Sequence, residues 1–280
     1  MTPVVIGTGY LGRTLCHRLS LEERTALHTF RSHRYFADSV LFDLFHQNLS
    51  DVVDLFGSDT VVVASKVENT AKTAQLAQAI YRLFNQCRDK RVVYVSSDAV
   101  FDGKLGMYRE TDRPNPATTY GTHKALCEEI LQGVEPNYCI VRTSYIYGFS
   151  LGQLDDRLSS AKALMGHGRT VRKYDDMFKS PIEVNQLAQI LAFVCESEYR
   201  GVVHVCGPRI SVYEFFSRAL QALGCDTHRL LADSVPKDHT PECLVDTSLD
   251  NSLLRKLFGV EPVSVTVSLK TAMVESGAYR

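Results

Sequence analysis

The sequence predicts an α/β fold, a Rossmann-type doubly wound parallel sheet with a smaller, interwoven C-terminal lobe. Three observations carry this. Short β-rich runs alternate with helical patterns through the first half. Runs such as Thr60–Ala64 and Arg91–Val95 lack polar alternation, as expected of parallel strands covered on both faces. A glycine-rich turn follows the first strand directly and opens a helix. In chain order the periodicity places strands near 2–7, 25–30, 38–42, 59–64, 91–96 and 137–142, and helices near 11–20, 46–56, 70–87 and 119–133. The helix at 70–87 is expected to pack Ala74, Ala77, Tyr81, Phe84 and Cys87 on the sheet. This βαβ series defines a sheet domain over 1–148. After Gly148 the pattern loosens. A helix from Val184 to Cys195 and a strand from Val202 to Cys206 extend the sheet, so 184–206 and about 241–249 return to it, while 149–183, 207–240 and 250–280 form the lobe. With no Gly/Ser or Pro-rich linker between them, the two parts are expected to interweave.

Composition narrows the function classes. In 280 residues, 45% hydrophobic and 22% charged, the formal net charge is −1, which gives no general attraction to nucleic acid or to an anionic membrane. No apolar run approaches a membrane span, and Met1-Thr-Pro leads straight into a strand, so neither a membrane anchor nor a signal peptide is expected. The eight cysteines show no C-x-x-C spacing and fall mostly in apolar runs; they read as reduced core thiols of a cytoplasmic protein. Nine scattered histidines without an H-x-x-x-H pair give no support to a metal site.

The segment Gly7-Thr-Gly9-Tyr10-Leu11-Gly12 is a G-x-G-x-x-G turn in the βαβ context that a dinucleotide needs. Gly7 permits the tight turn, Gly9 lets backbone approach a pyrophosphate, and Gly12 allows close helix packing. Where an NAD-preferring protein would place an acid, Arg31 stands 19 positions past Gly12, followed by Ser32, His33 and Arg34. A guanidinium fork there can pair with a 2′-phosphate, so NADP(H) is favoured over NAD(H). Arg13 reads equally well as a phosphate contact or as a solvated loop cation, and Lys66 reads as an exposed loop lysine before a phosphate contact. Asp43 and Leu44 after the third strand, Ala64 and Ser65 after the fourth and Ser96 at the end of the fifth complete the expected cofactor contacts.

Ligands of such sheets bind beyond the carboxyl ends of the strands, where Ser97-Asp98-Ala-Val100 begins, and the Tyr120-Gly-Thr-His-Lys124 helix follows. Four residues apart on a helix, Tyr120 and Lys124 share a face, and the ammonium favours the ionised form of a phenol whose pKa starts near ~10. Tyr120 and Lys124 are therefore also expected to touch the cofactor, with Tyr120 handing a proton to a carbonyl oxygen, Ser97 bonding the developing alkoxide and Lys124 holding the ribose.

Together the glycine turn, VVYVSSDAVFDG (92–103), YRETDRPNPATTYGTHK (108–124) and VRTSYIYG (141–148) resemble the extended short-chain dehydrogenase/reductases, and more narrowly the dTDP-4-dehydrorhamnose reductase group. Asp176–Ile182 and Val202–Gly207 resemble its later signatures. The resemblance implies a cytoplasmic enzyme that reduces a 4-keto nucleotide sugar with NADP(H), with Ser97, Tyr120 and Lys124 in the catalytic roles. It leaves a homodimer open. Ser97, Asp98, Val100, Tyr145 and Lys179 are the expected substrate contacts; Tyr147, Arg157, Arg169, Arg172, Lys173 and Tyr174 are further aromatics and cations available to a diphosphate, and Arg142 is expected to anchor its strand end.

This chain departs from the group's pattern in places. Its glycine turn is one residue shorter, Ala64-Ser-Lys-Val-Glu68 replaces a usual Asn-Ala-Ala-Ala-Tyr, and His123, expected on the helix surface, replaces a usual Ser. Ala99 stands where the related dehydratases place a Glu, which disfavours loss of water. Two alternatives remain at this point: a nucleotide-sugar epimerase using the same Tyr/Lys pair, and a non-catalytic NADP-binding subunit like the β subunit of methionine adenosyltransferase.

Overall fold

The computed structural model describes residues 2–65, 72–238 and 243–275. The first strands are β1 (Val4–Ile6), β2 (Leu27–Phe30), β3 (Val40–Leu41), β4 (Thr60–Val63), β5 (Arg91–Ser97) and β6 (Tyr138–Thr143). Six short strands follow: β7 (Ile146–Tyr147), β8 (Phe149–Ser150), β9 (Gln153–Leu154), β10 (Val171–Tyr174), β11 (Phe178–Lys179) and β12 (Ile182–Glu183). Then come β13 (Gly201–His204), β14 (Ile210–Ser211) and β15 (Leu230–Asp233). The helices are α1 (Tyr10–Leu21), α2 (Thr73–Gln86), α3 (Thr119–Val134), α4 (Asp156–Gly166), α5 (Val184–Glu196), α6 (Val212–Ala222), α7 (Ser252–Phe258) and α8 (Val265–Glu275).

Seven strands form one sheet in the order β13-β6-β5-β4-β1-β2-β3, with every ladder parallel. Strand order reverses between β1 and β4, and the crevice beyond their carboxyl ends is where a doubly wound sheet receives ligands. Alternate residues of each central strand enter opposite cores. Val5, Val62, Val93, Val95, Cys139 and Val141 pack with α1 and α5 on one face. Val4, Ile6, Val61, Val63, Val92, Tyr94 and Ile140 pack with α2 and α3 on the other. Since both faces are dry, neither register can be polar, which explains the unbroken apolar runs.

Two local expectations are corrected. The helix expected over 46–56 is only a 3-10 turn at Leu49–Asp51. Its short polar side chains serve local bonds instead: Asn48 donates to Asp51, and the Asp54 carboxylate takes the Phe56 amide. On α2 the buried stripe is Leu76, Ala79, Ile80, Leu83 and Phe84, whereas Ala74 and Tyr81 face solvent. The larger aliphatic side chains took the sheet face, rotating the helix away from the alanine-led stripe.

A separate core holds the lobe, with Leu158, Ala161, Met165, Val171, Phe215, Phe216, Leu220, Leu230, Val265 and Leu269 among its residues. The C-terminal range expected to lie wholly in the lobe divides, because Leu254 of α7 joins the sheet core while α8 packs in the lobe. Among the described residues, no helix is long and apolar enough to cross a membrane, and no group of three or more His, Cys, Asp or Glu is placed to hold a metal ion.

Candidate active site

The glycine turn is built as its spacing requires. Gly7 has a φ of +93°, a conformation that favours glycine, and a Cβ there would stand 2.7 Å from the Ser65 Cβ. A Cβ on Gly12 would come within 2.0 Å of the Gly7 carbonyl oxygen, so the first turn of α1 lies directly on the loop. Around Gly9, the N-cap of α1, there is open space, which leaves backbone and the helix N-terminus accessible to a pyrophosphate. Beside this turn a cleft is lined by Ile6, Gly7, Thr29, Phe30, Arg31, Phe42, Asp43, Leu44, Phe45 and Ser65. The Ser65 hydroxyl oxygen is buried with no hydrogen-bond partner among the described residues. Open backbone at Gly9, an orphaned hydroxyl and a cleft ending at Arg31 together fit a dinucleotide.

Within the cleft, Arg31 lies 4.0 Å from the Asp43 carboxylate and its guanidinium sits 5.9 Å from the Phe45 ring centre. Burial raises the Asp43 pKa, but the Phe45 amide, His46 and the Arg31 charge outweigh it and hold the carboxyl below its usual range. Ser32 is exposed beside His33. Other expected contacts are used inside the fold. Leu11 is core, the Leu44 carbonyl accepts from Arg82, and the Ser96 hydroxyl is buried and donates to Glu128, so of Ser96 only the main chain remains for a cofactor. Tyr10 bonds the Gly148 carbonyl at 2.7 Å, and the Ala64 amide bonds Ile6. Arg13, read as a phosphate contact or a solvated cation, is neither: it is buried, bonds Ser150 at 2.6 Å and stacks on Tyr35. Lys66 lies outside the described residues.

Beyond β5 the chain makes a 3-10 turn at Asp98–Val100, with Ser97 as its cap accepting the Ala99 amide at 3.2 Å. The Thr118 side chain caps α3 through the Gly121 amide. Gly121 is the contact point of the two, since a Cβ there would stand 2.0 Å from the Ala99 carbonyl oxygen. Tyr120 is thereby brought to the strand end that holds Ser97. One turn further along α3, the buried Lys124 donates to the Val95 carbonyl at 2.9 Å and lies 5.9 Å from the Tyr120 ring centre. Deeper still, Glu128 takes a forked bond from Arg142, at 2.7 Å for the shortest contact, tying α3 to the end of β6 as expected of a strand anchor. His123, expected at the surface, is buried and bonds Thr73 at 3.1 Å.

Asp98 turns out to be the hub of the strand end. Ser97 donates to its Oδ1 at 3.0 Å, while Ser144 (2.9 Å), Thr247 (2.6 Å) and Lys179 (3.4 Å) converge on Oδ2. Of the expected substrate contacts, Val100 is corrected: its side chain is fully buried with Phe101, Tyr108, Cys206 and Leu249. The Tyr145 phenol bonds Asp155 at 2.7 Å, and burial and then the Asp155 charge push its pKa up. Tyr147 is core and bonds Ser268. Arg157 and Lys173 line a groove on the lobe with Asp156, Ser160 and Leu164. They are seated over the rings of Tyr145 (4.3 Å) and Phe216 (4.0 Å), and neither forms a salt bridge among the described residues. Burial, and then the Arg157 charge, hold Lys173 below its usual range. Sequence reasoning missed Ser144 and Thr247: Thr247 comes from a distant segment with no motif, and Ser144 stands inside VRTSYIYG without a role assigned to it.

Over 237 residues the chain is 27% identical to the spore coat polysaccharide biosynthesis protein SpsK of Bacillus subtilis, covering 81% of each. Over 190 residues it is 28% identical to a dTDP-4-dehydrorhamnose reductase of Mycobacterium tuberculosis, 65% of this chain and 60% of that one. In fold it is similar to the crystal structure of dTDP-4-dehydrorhamnose reductase from Bacillus anthracis in complex with NADP, at a TM-score of 0.80, 20% identity and coverage of 98% and 100%. The RmlD substrate binding domain family matches residues 2–276, and with nearly the whole length covered the chain belongs to that family.

Proposed function

We propose that the protein is an NADP(H)-dependent oxidoreductase that reduces a 4-keto nucleotide sugar. The observation that carries this reading is the seating of Gly121 on the Ala99 carbonyl, which unites the Tyr120–Lys124 face of α3 with the Ser97 strand end. The names of its relatives support the substrate class and the cofactor. When bound, the dinucleotide supplies a hydride to the carbonyl carbon. The chain's own residues do the rest. Tyr120 passes its proton to the carbonyl oxygen, and the Lys124 ammonium beside it favours the phenolate left behind. Ser97, whose proton rests on Asp98, turns that proton to the developing alkoxide. Gly7, Gly9 and the N-terminus of α1 cradle the pyrophosphate, Ser65 offers its unused hydroxyl, and Arg31 meets the 2′-phosphate.

Residues 1–148, apart from Tyr145 and Tyr147 which pack with the lobe core, together with 184–206, the 241–249 stretch and α7 hold the cofactor in this reading, while the lobe binds the nucleotide sugar. The Arg157–Lys173 groove suits its diphosphate, because two cations held close together gain from an anion between them. Six buried cysteines suit a reducing compartment, which supports a cytoplasmic enzyme. The test is a panel of 4-keto nucleotide sugars assayed by loss of NADPH absorbance, with NADH alongside. Turnover with preference for NADPH is expected. Product formed without net NADPH loss would indicate an epimerase, and cofactor binding with no ketone reduced would indicate a non-catalytic subunit.

A further inference from the structure

We infer that Thr247 is a positioning residue for the reaction, setting Ser97 through Asp98. Thr247 lies 149 positions from Asp98 and is fully buried. It reaches the site on a segment laid against the catalytic loop: Asp246 donates its amide to the Gly103 carbonyl, and Ser248 accepts the Met107 amide. Gly103 and Gly106 admit that segment, since a Cβ on them would stand 3.0 Å from Leu244 and 2.3 Å from the Asp246 carboxylate.

The chemistry of the partners fixes the direction of each bond. The Lys179 ammonium can only donate, and it gives a proton to the Thr247 hydroxyl at 2.6 Å. That hydroxyl has one proton, directed to Asp98 Oδ2 at 2.6 Å. Asp98 Oδ1 in turn accepts from Ser97 at 3.0 Å. Thr247 is thus a link through which a cation on β11, itself 3.4 Å from Oδ2, and a segment far along the chain hold the carboxylate that orients Ser97. When Ser97 releases Asp98 to serve the alkoxide, the bonds on Oδ2 keep the carboxylate in register, so that the hydroxyl moves and its support does not.

The inference rests on the proposed reductase reading, so the test has an arm that needs no turnover. In the full chain, Thr247→Val removes the hydroxyl at constant shape, Thr247→Ser retains it, and Ser97→Ala removes the group acted upon. Thr247→Val is expected to lower kcat about tenfold or more with little change in ketone KM, and Thr247→Ser to restore it. In the Ser97→Ala background Thr247→Val should cost nothing further. Equal losses in both backgrounds, or an undiminished kcat, overturn the inference. If Thr247→Val does not fold, Lys179→Met removes the donor to Thr247 together with its own 3.4 Å contact to Asp98 and is held to the same Ser97-dependent criterion. The remaining arm is a crystal structure of the Thr247→Val chain, or of Lys179→Met in its place, in which Asp98 is expected to turn away from Ser97. A Ser97–Asp98 bond still near 3.0 Å overturns the inference whatever the protein reduces. A displaced Asp98 in a protein that reduces no ketone leaves the inference standing and sinks the reductase reading.

Discussion

Two tyrosines, each beside a cation, mark the two halves of the molecule, and their surroundings set them to opposite uses. On the sheet side, Tyr120 is half-buried at a strand end, with the Lys124 ammonium held along the same helix face by the Val95 carbonyl. On the lobe side, the Tyr145 phenol is bound to Asp155, its proton retained by burial and by that charge, and the Arg157 guanidinium lies over its ring. In the proposed reading the first pair parts with a proton. The second is arranged to keep one and to present a cation. A tyrosine next to a positive charge is therefore not itself a catalytic signature, since burial and a bond to a carboxylate make Tyr145 hold its proton despite the cation over its ring.

The largest effect expected from this contrast is on turnover. Tyr120→Phe should lower kcat by about 10³-fold, within the range for loss of a general acid, with NADPH binding retained, while Tyr145→Phe should change kcat by less than about threefold. Steady-state kinetics with binding measured by cofactor fluorescence would check both, and comparable losses in the two variants would break the comparison. Next comes the placement of the sheet-side pair. Gly121→Ala puts a methyl where the Ala99 carbonyl stands and must displace the start of α3, so kcat is expected to fall about 100-fold and stability by about 1–3 kcal/mol. Calorimetry alongside kinetics separates the two effects.

On the lobe side, Arg157→Ala should raise KM for the nucleotide sugar about tenfold while kcat stays within about twofold, the pattern of lost uniform binding. A kcat loss without a KM change would place Arg157 in the chemistry and erase the distinction. The smallest effect concerns pH. The Tyr145 pKa in the folded chain lies above its usual value of 10.0, so the folded state holds a proton that the unfolded chain releases. The stability this gives is complete below about pH 10 and is lost as pH rises further. Melting curves should show a steeper loss above pH 10 in the wild type than in Tyr145→Phe, which also forfeits about 1–2 kcal/mol through its lost bond to Asp155.

The same contrast explains what could be read in advance. Val61–Val63 and Val92–Val95 announced their strands because both faces of the sheet are buried, and the glycine turn announced itself because Gly7 and Gly12 each meet a local steric demand while Gly9 leaves the helix N-terminus open. Ser97, Tyr120 and Lys124 were legible because one strand and the next helix bring them together. The expected helix at 46–56 failed where side chains of Asn48 and Asp54 won local bonds that no apolar period reveals. Thr247 was invisible for a different reason, since its partner Asp98 is brought to it only by the tertiary fold, whereas Ser144, one residue past β6, meets Asp98 because Thr143 and Ser97 pair in the sheet, a register no motif reveals. Gly121 could have been found: a glycine in the first turn of a helix, beside the proposed proton donor, asks what lies against it.

The central claim is that Tyr120 and Ser97 complete a reduction. It is tested most directly by incubating the protein with a 4-keto nucleotide sugar and NADPH carrying deuterium at the transferable position of the nicotinamide, then following the product by mass and NMR. The account predicts one deuterium on the former carbonyl carbon and one cofactor oxidised for each alcohol formed. An altered sugar without deuterium at that carbon, or formed with no cofactor consumed, would contradict it.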